Sequence, residues 1–468
     1  MVFSSPIFMF IFLPVALAGY YLLYKWRVMQ NIWLVIISLL FYAWGEPKNV
    51  ILMIGSILAN YVFGLMVDRY RSKKAIVRVI LTGMVLTNIG VLFVYKYLGF
   101  TCSILGIESS FQTIALPIGI SFYTFQAISY VIDVYKGRGE VQKNPLNVAL
   151  YIAFFPQLIA GPIVRYQTIA EEIRNRKENF EDFSIGVQRF IIGLTKKIFF
   201  ANSFASIADF LFDRGLALSF GSAWIGAISY TLQIYFDFFG YSDMAIGLGR
   251  MFGFKFVENF NYPYISKTVS EFWRRWHISL SSWFRDYVYI PLGGSRVKTK
   301  GRLVFNLFVV WSLTGIWHGA NWTFIAWGIG YFVILTFEKL TELPQKIKKL
   351  PGKIIYQIFT MICVVFGWVV FRSASLHQAK EYMGYMLSMK HGCMDTLAKF
   401  LLKDMWFLLL LGIIAATPLY KKVSEHIEKA EKNKVYAVLR IVIFVGLLLV
   451  DTSYMVNSSY NPFIYFNF

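Results

Sequence analysis

The stretch Trp311-Ser312-Leu313-Thr314-Gly315-Ile316-Trp317-His318-Gly319-Ala320-Asn321-Trp322 places one histidine in a glycine turn between two apolar runs. Those runs, residues 303–317 and 321–340, have about the length that crosses a hydrocarbon core of roughly 30 Å, so they predict a helical hairpin at membrane depth. Counted from Arg302 in the preceding basic loop, His318 lies about 24 Å up the first helix, in the half of the membrane away from the cytoplasm. An imidazole there sits among groups that cannot solvate it, and such residues face a cavity, find a partner or do chemistry. With an ordinary pKa of about 6.5, a histidine offers a neutral, basic nitrogen, as a general base acting on a hydroxyl requires. The same spacing suits a packing histidine bonded to a backbone carbonyl, and spacing alone does not separate the two.

The rest of the composition agrees with a membrane setting. Of 468 residues, 57% are hydrophobic and 15% charged, and apolar runs of spanning length recur along the chain. The chain therefore reads as an all-α, polytopic membrane protein with about 11–12 membrane segments, some re-entrant, in one membrane domain over residues 1–468. The net charge of +20 does not call for nucleic acid, because the basic residues fall in short loops between apolar runs, where they mark the cytoplasmic side. Cys102, Cys363 and Cys393 are widely spaced, without a C-x-x-C pair, so neither a disulfide framework nor a thiol metal site is expected. No basic residue precedes the apolar run at 6–24, which is expected to be a retained first span and not a cleaved signal.

Spans are expected at 6–24, 31–44, 49–66, 76–97 and 113–132, with basic loops alternating between them. That alternation predicts an outside N-terminus. It breaks at 146–164, a run interrupted by Pro156, Gly161 and Pro162 and followed by Arg165, Arg174, Arg176 and Lys177. A re-entrant segment resolves the conflict, and such backbone is tolerated only where protein or a water-filled cavity surrounds it. Polar groups then enter apolar sequence: Lys196, Lys197, Asp209, Gln233, and Asp237 and Asp243 within Tyr235-Phe236-Asp237-Phe238-Phe239-Gly240-Tyr241-Ser242-Asp243. An Asp or Lys at mid-bilayer costs roughly 2.5–3.5 kcal/mol, which favours a cavity or an interface over lipid. For the two lysines, snorkelling to the surface is expected.

The block Ser270-Glu271-Phe272-Trp273-Arg274-Arg275-Trp276-His277-Ile278-Ser279-Leu280-Ser281-Ser282-Trp283-Phe284-Arg285-Asp286-Tyr287 mixes rings and charges too densely for a span. It reads as an interfacial amphipathic segment, in which His277 is a second candidate for a catalytic or substrate-facing role. Later spans are expected at 354–371, 406–420 and 437–450, with a charged cytoplasmic helix at 421–434 and an outside tail at 451–468.

Several of these stretches together resemble the membrane-bound O-acyltransferases, and most closely their alginate O-acetyltransferase branch. They are Leu116-Pro117-Ile118-Gly119-Ile120-Ser121-Phe122, Gln157-Leu158-Ile159-Ala160-Gly161-Pro162-Ile163, the run from Tyr235 to Asp243, residues 272–294 and Gly315-Ile316-Trp317-His318-Gly319-Ala320. The resemblance implies a ring of helices around a central funnel, His318 as the catalytic histidine and His277 as a second active-site histidine. It also implies acyl transfer from a cytoplasmic thioester, acetyl-coenzyme A, to an envelope polysaccharide outside, through an extracytoplasmic acyltransferase partner, in the cytoplasmic membrane of a bacterium. No bound cofactor or metal is expected. Asp237, Asp243 and Asn321 are the candidate substrate-binding groups. D-alanyl transfer to a teichoic acid-like polymer is an alternative. A transporter, from a different class, would carry matched broken helices in two inverted halves, and only one broken helix is evident.

The tail Asn461-Pro462-Phe463-Ile464-Tyr465-Phe466-Asn467-Phe468 admits two readings. Aromatic residues of this kind anchor helices at the outer interface. The pattern Phe463-x-Tyr465-x-x-Phe468 also resembles the C-terminal motif of the small membrane peptides that accompany D-alanyl-transferring members of the family. This second resemblance implies that the tail enters the funnel and that the Tyr465 hydroxyl carries the acyl group as a transient ester.

Overall fold

The computed structural model describes residues 1–107, 114–213, 215, 217–419, 421, 423, 434–457 and 460–464. Tyr465 and most of the charged stretch 421–434 lie outside the described residues. Among the described residues the fold is all helix, with no strand. Among the described residues, seven helical stretches are long and apolar enough to cross a membrane: Arg27–Gly45, Asn49–Arg69, Lys74–Ile104, Phe180–Asp213, Trp322–Thr341, Leu350–Arg372 and Val438–Asn457. The protein is thus a multi-pass membrane protein. Its residues gather into two compact units, one comprising Met1–Leu194 with Tyr241–Glu258, the other Thr195–Gly240 with Asn259–Ile464.

In the first unit, two buried asparagines on neighbouring helices satisfy one another. Asn60 and Asn88 exchange amide hydrogen bonds of 3.1 and 2.9 Å between Asn49–Arg69 and Lys74–Leu92, a contact worth roughly 0.6–1.7 kcal/mol between membrane helices. The expected span at 113–132 is observed as Ile120–Tyr135, and nearly its whole length is buried against protein. The interrupted run behaves as its prolines and glycines dictate. Pro145–Ala153 starts on an Asn144 cap, the chain breaks at Phe154, one turn follows at Phe155–Leu158, and irregular backbone continues to Arg165. Phe154, Leu158, Ala160 and Val164 are fully buried, so protein surrounds this irregular stretch.

In the second unit, Thr299 caps Lys300–His318 and Asn321 caps Trp322–Thr341. The resulting hairpin is pulled close by Gly315 and Gly328: a methyl group on Gly315 would lie 2.6 Å from the Phe324 carbonyl oxygen, and one on Gly328 2.6 Å from that of Trp311. Small residues let helix backbones approach in this way. Two expectations need correction here. The helix Lys434–Asn457 runs through Asp451 instead of ending before it, because the Asp451 carboxylate is fully buried and accepts a 2.7 Å hydrogen bond from Thr195 Oγ1. Lys197 does not snorkel either; its Nζ is buried 2.6 Å from Asp237 Oδ1.

Candidate active site

The second unit brings His277 and His318 into one buried aromatic nest. His318 ends its helix, and its ring lies 5.0 Å from Trp327, 5.1 Å from Phe371 and 5.0 Å from Trp317, each near edge-on. His277 follows Trp276, with Phe238 edge-on at 4.6 Å and the same Trp317 at 6.1 Å. Trp317 therefore touches both imidazoles. The block around His277 is not an interfacial anchor: Phe272, Trp273, Trp276, Leu280, Trp283 and Phe284 are all buried. Trp273 packs on Trp311, Trp327 and Tyr331 at 4.8–5.4 Å, and Trp276 on Trp368 at 4.7 Å. Ring–ring pairs in this geometry add roughly 0.5–1.5 kcal/mol each beyond their burial, which favours the interior over the headgroup layer.

His277 has left-handed backbone angles, φ 46° and ψ 54°, which cost a non-glycine residue about 1–3 kcal/mol and persist only where surroundings enforce them. Asn259 provides the enforcement. Its carbonyl oxygen accepts the Ile278 N–H at 2.9 Å, and its side-chain Oδ1 accepts the Ser279 N–H at 3.1 Å and the Ser279 hydroxyl at 2.8 Å. The same Oδ1 lies 3.1 Å from His277 Nδ1. A backbone N–H only donates, so the Asn259 atom it meets is the oxygen, and His277 Nδ1 must carry the proton. Nε2 is then the basic nitrogen. His277 lies in the connection outside the seven spanning helices, and burial, followed by the influence of His318, holds its imidazole well below the ordinary range.

One further carboxylate supports this frame from below. Glu338, buried near the end of Trp322–Thr341, accepts the N–H groups of Val269 and Ser270 at 2.9 and 2.8 Å, the Ser270 hydroxyl at 2.6 Å and the Tyr356 hydroxyl at 2.9 Å. It thereby fixes the start of Val269–Arg275, the helix that leads into His277. Beside it opens a cavity of about 640 Å³ whose lining includes Lys267, Arg274, Lys339 and Lys353.

The other candidates fall elsewhere. Asn321 is engaged in the hairpin turn, accepting the Thr323 N–H at 3.1 Å and donating to the Ala374 carbonyl at 3.0 Å. Asp243 belongs to the first unit, where Arg189 donates to it at 3.0 and 2.8 Å and also to Glu258 at 2.6 Å. Asp237 is paired with Lys197, one residue before the Phe238 that packs on His277. Its second oxygen accepts the Ile464 N–H at 2.8 Å. Sequence reasoning missed Asn259, Glu338 and the nest of rings, since nothing in their spacing announces a shared partner.

The structure thus places two histidines in one aromatic nest inside a polytopic helical protein, and comparison with known proteins gives the class. Residues 141–376 match the membrane-bound O-acyltransferase family, and the chain belongs to it. It is an O-acyltransferase of the membrane. It is 45% identical over 398 residues to a probable alginate O-acetylase of Pseudomonas syringae pv. tomato, covering 83% of this chain and 75% of that one. A peptidoglycan O-acetyltransferase of Helicobacter pylori is 34% identical, covering 100% of this chain and 98% of that one. A teichoic acid D-alanyltransferase of Bacillus subtilis is 33% identical over 286 residues, 56% of this chain and 69% of that one.

Proposed function

We propose that this enzyme moves an acetyl group from a cytoplasmic thioester, acetyl-coenzyme A, toward a polysaccharide outside the cytoplasmic membrane of a bacterium, with an extracytoplasmic transferase as its partner. The observation that carries the reading is the pairing of His277 and His318 around Trp317. Two relatives named for O-acetylation support acetyl over D-alanyl and an envelope polymer as acceptor. At the end of Trp322–Thr341 remote from His318, Lys267, Arg274, Lys339 and Lys353 offer cations to the phosphates of the donor, in a cavity that Glu271, Glu338 and Glu342 also line.

In this reading the first acceptor is the Tyr465 phenol. His318, as general base, takes the phenol proton while the oxygen attacks the thioester carbonyl; the thiolate leaves and is protonated, and the acetyl group rests on tyrosine as an ester. A hydroxyl of the polysaccharide or of the partner then attacks that ester and the phenol is restored. Phenolate, with a pKa near 10, is a good enough leaving group for the second step. Segment Tyr460–Ile464 supports this role for the next residue: Ile464 is bonded to Asp237, whose neighbour Phe238 packs on His277.

The test is transfer from labelled acetyl-coenzyme A by the reconstituted enzyme. His318→Ala should lower it by about 10²–10⁴-fold with folding intact, and Tyr465→Phe should abolish it while keeping the ring. Activity of His318→Ala within about threefold of wild type would remove the assignment of the base, and a fully active Tyr465→Phe would remove the relay.

A further inference from the structure

Outside the histidine nest, the second unit buries one ion pair that the transfer chemistry does not use. Lys197 and Asp237 have side chains only 3% and 2% exposed, with Nζ and Oδ1 2.6 Å apart. Lys197 sits in a π-helical turn, Lys196–Ala201, a feature that often re-aims a side chain at a functional site. Both partners reach the same short peptide. Lys197 Nζ donates to the Pro462 carbonyl oxygen, and Asp237 Oδ2 accepts the Ile464 N–H at 2.8 Å. Between these two main-chain contacts the Phe463 ring is buried, 5.7 Å from Lys197 Nζ. Two residues upstream, Asn202 donates to the Tyr460 carbonyl and to Asn461 Oδ1, both at 3.4 Å. The Tyr460 hydroxyl donates to Asp209, which Arg372 also holds at 2.9 Å.

We propose that the Lys197–Asp237 pair is a main-chain clamp for a short peptide segment, closing on residues 462 and 464 on either side of a buried phenylalanine. The proposal rests on the relay reading only for its purpose, which is to deliver residue 465 toward the histidines. The chemistry of the clamp is general: an ammonium seeks a carbonyl and a carboxylate seeks an amide, so one buried pair of opposite charges matches both polar groups of a passing backbone. Because the contacts are to main chain, the clamp selects for an unblocked N–H at 464 and tolerates many side chains there. Asp237, expected from sequence to bind substrate, binds the enzyme's own peptide.

The test measures docking directly and not through activity. Cysteines replace Asn202 and Asn461 in a chain whose Cys102, Cys363 and Cys393 are alanine, and a short thiol-to-thiol crosslinker is applied to the full-length protein in detergent. The parent should crosslink within the chain. Ile464→Pro, which removes the N–H and leaves the buried pair untouched, should slow crosslinking at least tenfold, whereas Ile464→Ala should not. Lys197→Met with Asp237→Leu replaces the pair by apolar groups of similar size and should give the same tenfold loss. Equal rates in the parent and Ile464→Pro would overturn the clamp, as would loss of crosslinking in Ile464→Ala. Tyr465→Phe separates the two ideas: it should crosslink like the parent, so full transfer activity in that variant would end the relay and leave the clamp standing.

Discussion

Asn259 decides which nitrogen of His277 is basic. Its Oδ1 is pinned as an acceptor by the Ser279 N–H at 3.1 Å, and the His277 Nδ1 that meets it at 3.1 Å is therefore the protonated one. The unusual left-handed backbone at His277 is part of the same device, since it lets residues 277, 278 and 279 all turn toward a single asparagine. A buried imidazole held in one tautomer and kept neutral presents a lone pair at Nε2. In the proposed reaction, with Trp317 packed on both rings, His277 would orient an acceptor hydroxyl or share its proton.

Substitutions at Asn259 should separate orientation from mere packing. Asn259→Leu keeps the volume and removes the acceptor, leaving the Ser279 N–H unsatisfied at a cost of about 1–3 kcal/mol and the tautomer unrestrained. Transfer should fall by roughly tenfold or more, short of the full effect of removing a base. Asn259→Asp keeps an acceptor for both N–H groups and adds a negative charge, which favours the imidazolium. That variant should remain active, with the acidic limb of its pH–rate profile moved to higher pH. An unmoved profile in Asn259→Asp would show that the contact does not govern His277.

The depressed pKa of His277 makes a prediction about stability. A histidine whose folded pKa lies below its unfolded value of about 6.5 binds more protons when unfolded. Its contribution to stability is complete above about pH 6.5 and is lost as the pH falls toward the folded pKa. Thermal unfolding in detergent should therefore drop in temperature as the pH is lowered from 7 to 5, by general acid sensitivity plus this contribution. His277→Gln, which cannot titrate, should show a visibly shallower drop over the same range. Parallel curves for the two proteins would contradict the assignment.

Much of this was legible in the sequence, and the reasons differ by residue. His318 stood out because an ionisable group between two apolar runs is costly wherever it is put, and the cost argument needs no tertiary contact. The break after Ala153 was legible from its prolines and glycines. Lys197 was not: a long cation near apolar sequence snorkels by default, and only the fold supplies a buried carboxylate 2.6 Å away. The block around His277 was misplaced for a related reason. Tryptophans among arginines suit the headgroup layer and an aromatic core equally well, and the choice is made by Trp311, Trp327 and Trp368, which come from later helices. Asn259 carries no signal in sequence, since its partners are set by the turn at His277.

Glu338 should behave as a positioning residue. Its carboxylate faces four donors, and Glu338→Gln would turn an amide NH₂ toward at least one of them, at a cost of about 1–3 kcal/mol per buried donor left unmade. The start of Val269–Arg275 should loosen, lowering the unfolding temperature and slowing transfer while His277 and His318 remain in place. Tyr356→Phe removes only the 2.9 Å bond at the edge of this group and should cost about 1 kcal/mol. If Glu338→Gln unfolded like wild type and Tyr356→Phe were the weaker protein, the helix start would have to be held by something else.

The glycine contact in the hairpin gives a test that touches neither histidine. An added methyl group on Gly315 would sit 2.6 Å from the Phe324 carbonyl oxygen and 3.3 Å from Gly328 Cα, and backbone atoms cannot swing aside as a flexible side chain would. Gly315→Ala must therefore push Trp322–Thr341 away from Lys300–His318. That movement carries Trp327, which packs edge-on against His318 at 5.0 Å, out of the nest. Transfer should fall several-fold or more even though both imidazoles keep their chemistry. Gly330 lies on the same helix as Trp327, and a methyl group added there would meet nothing within 4 Å. Gly330→Ala should therefore leave transfer unchanged and add about 0.5–1 kcal/mol through helix propensity. Equal activity in the two variants would mean that the spacing of the hairpin does not set the geometry around His318.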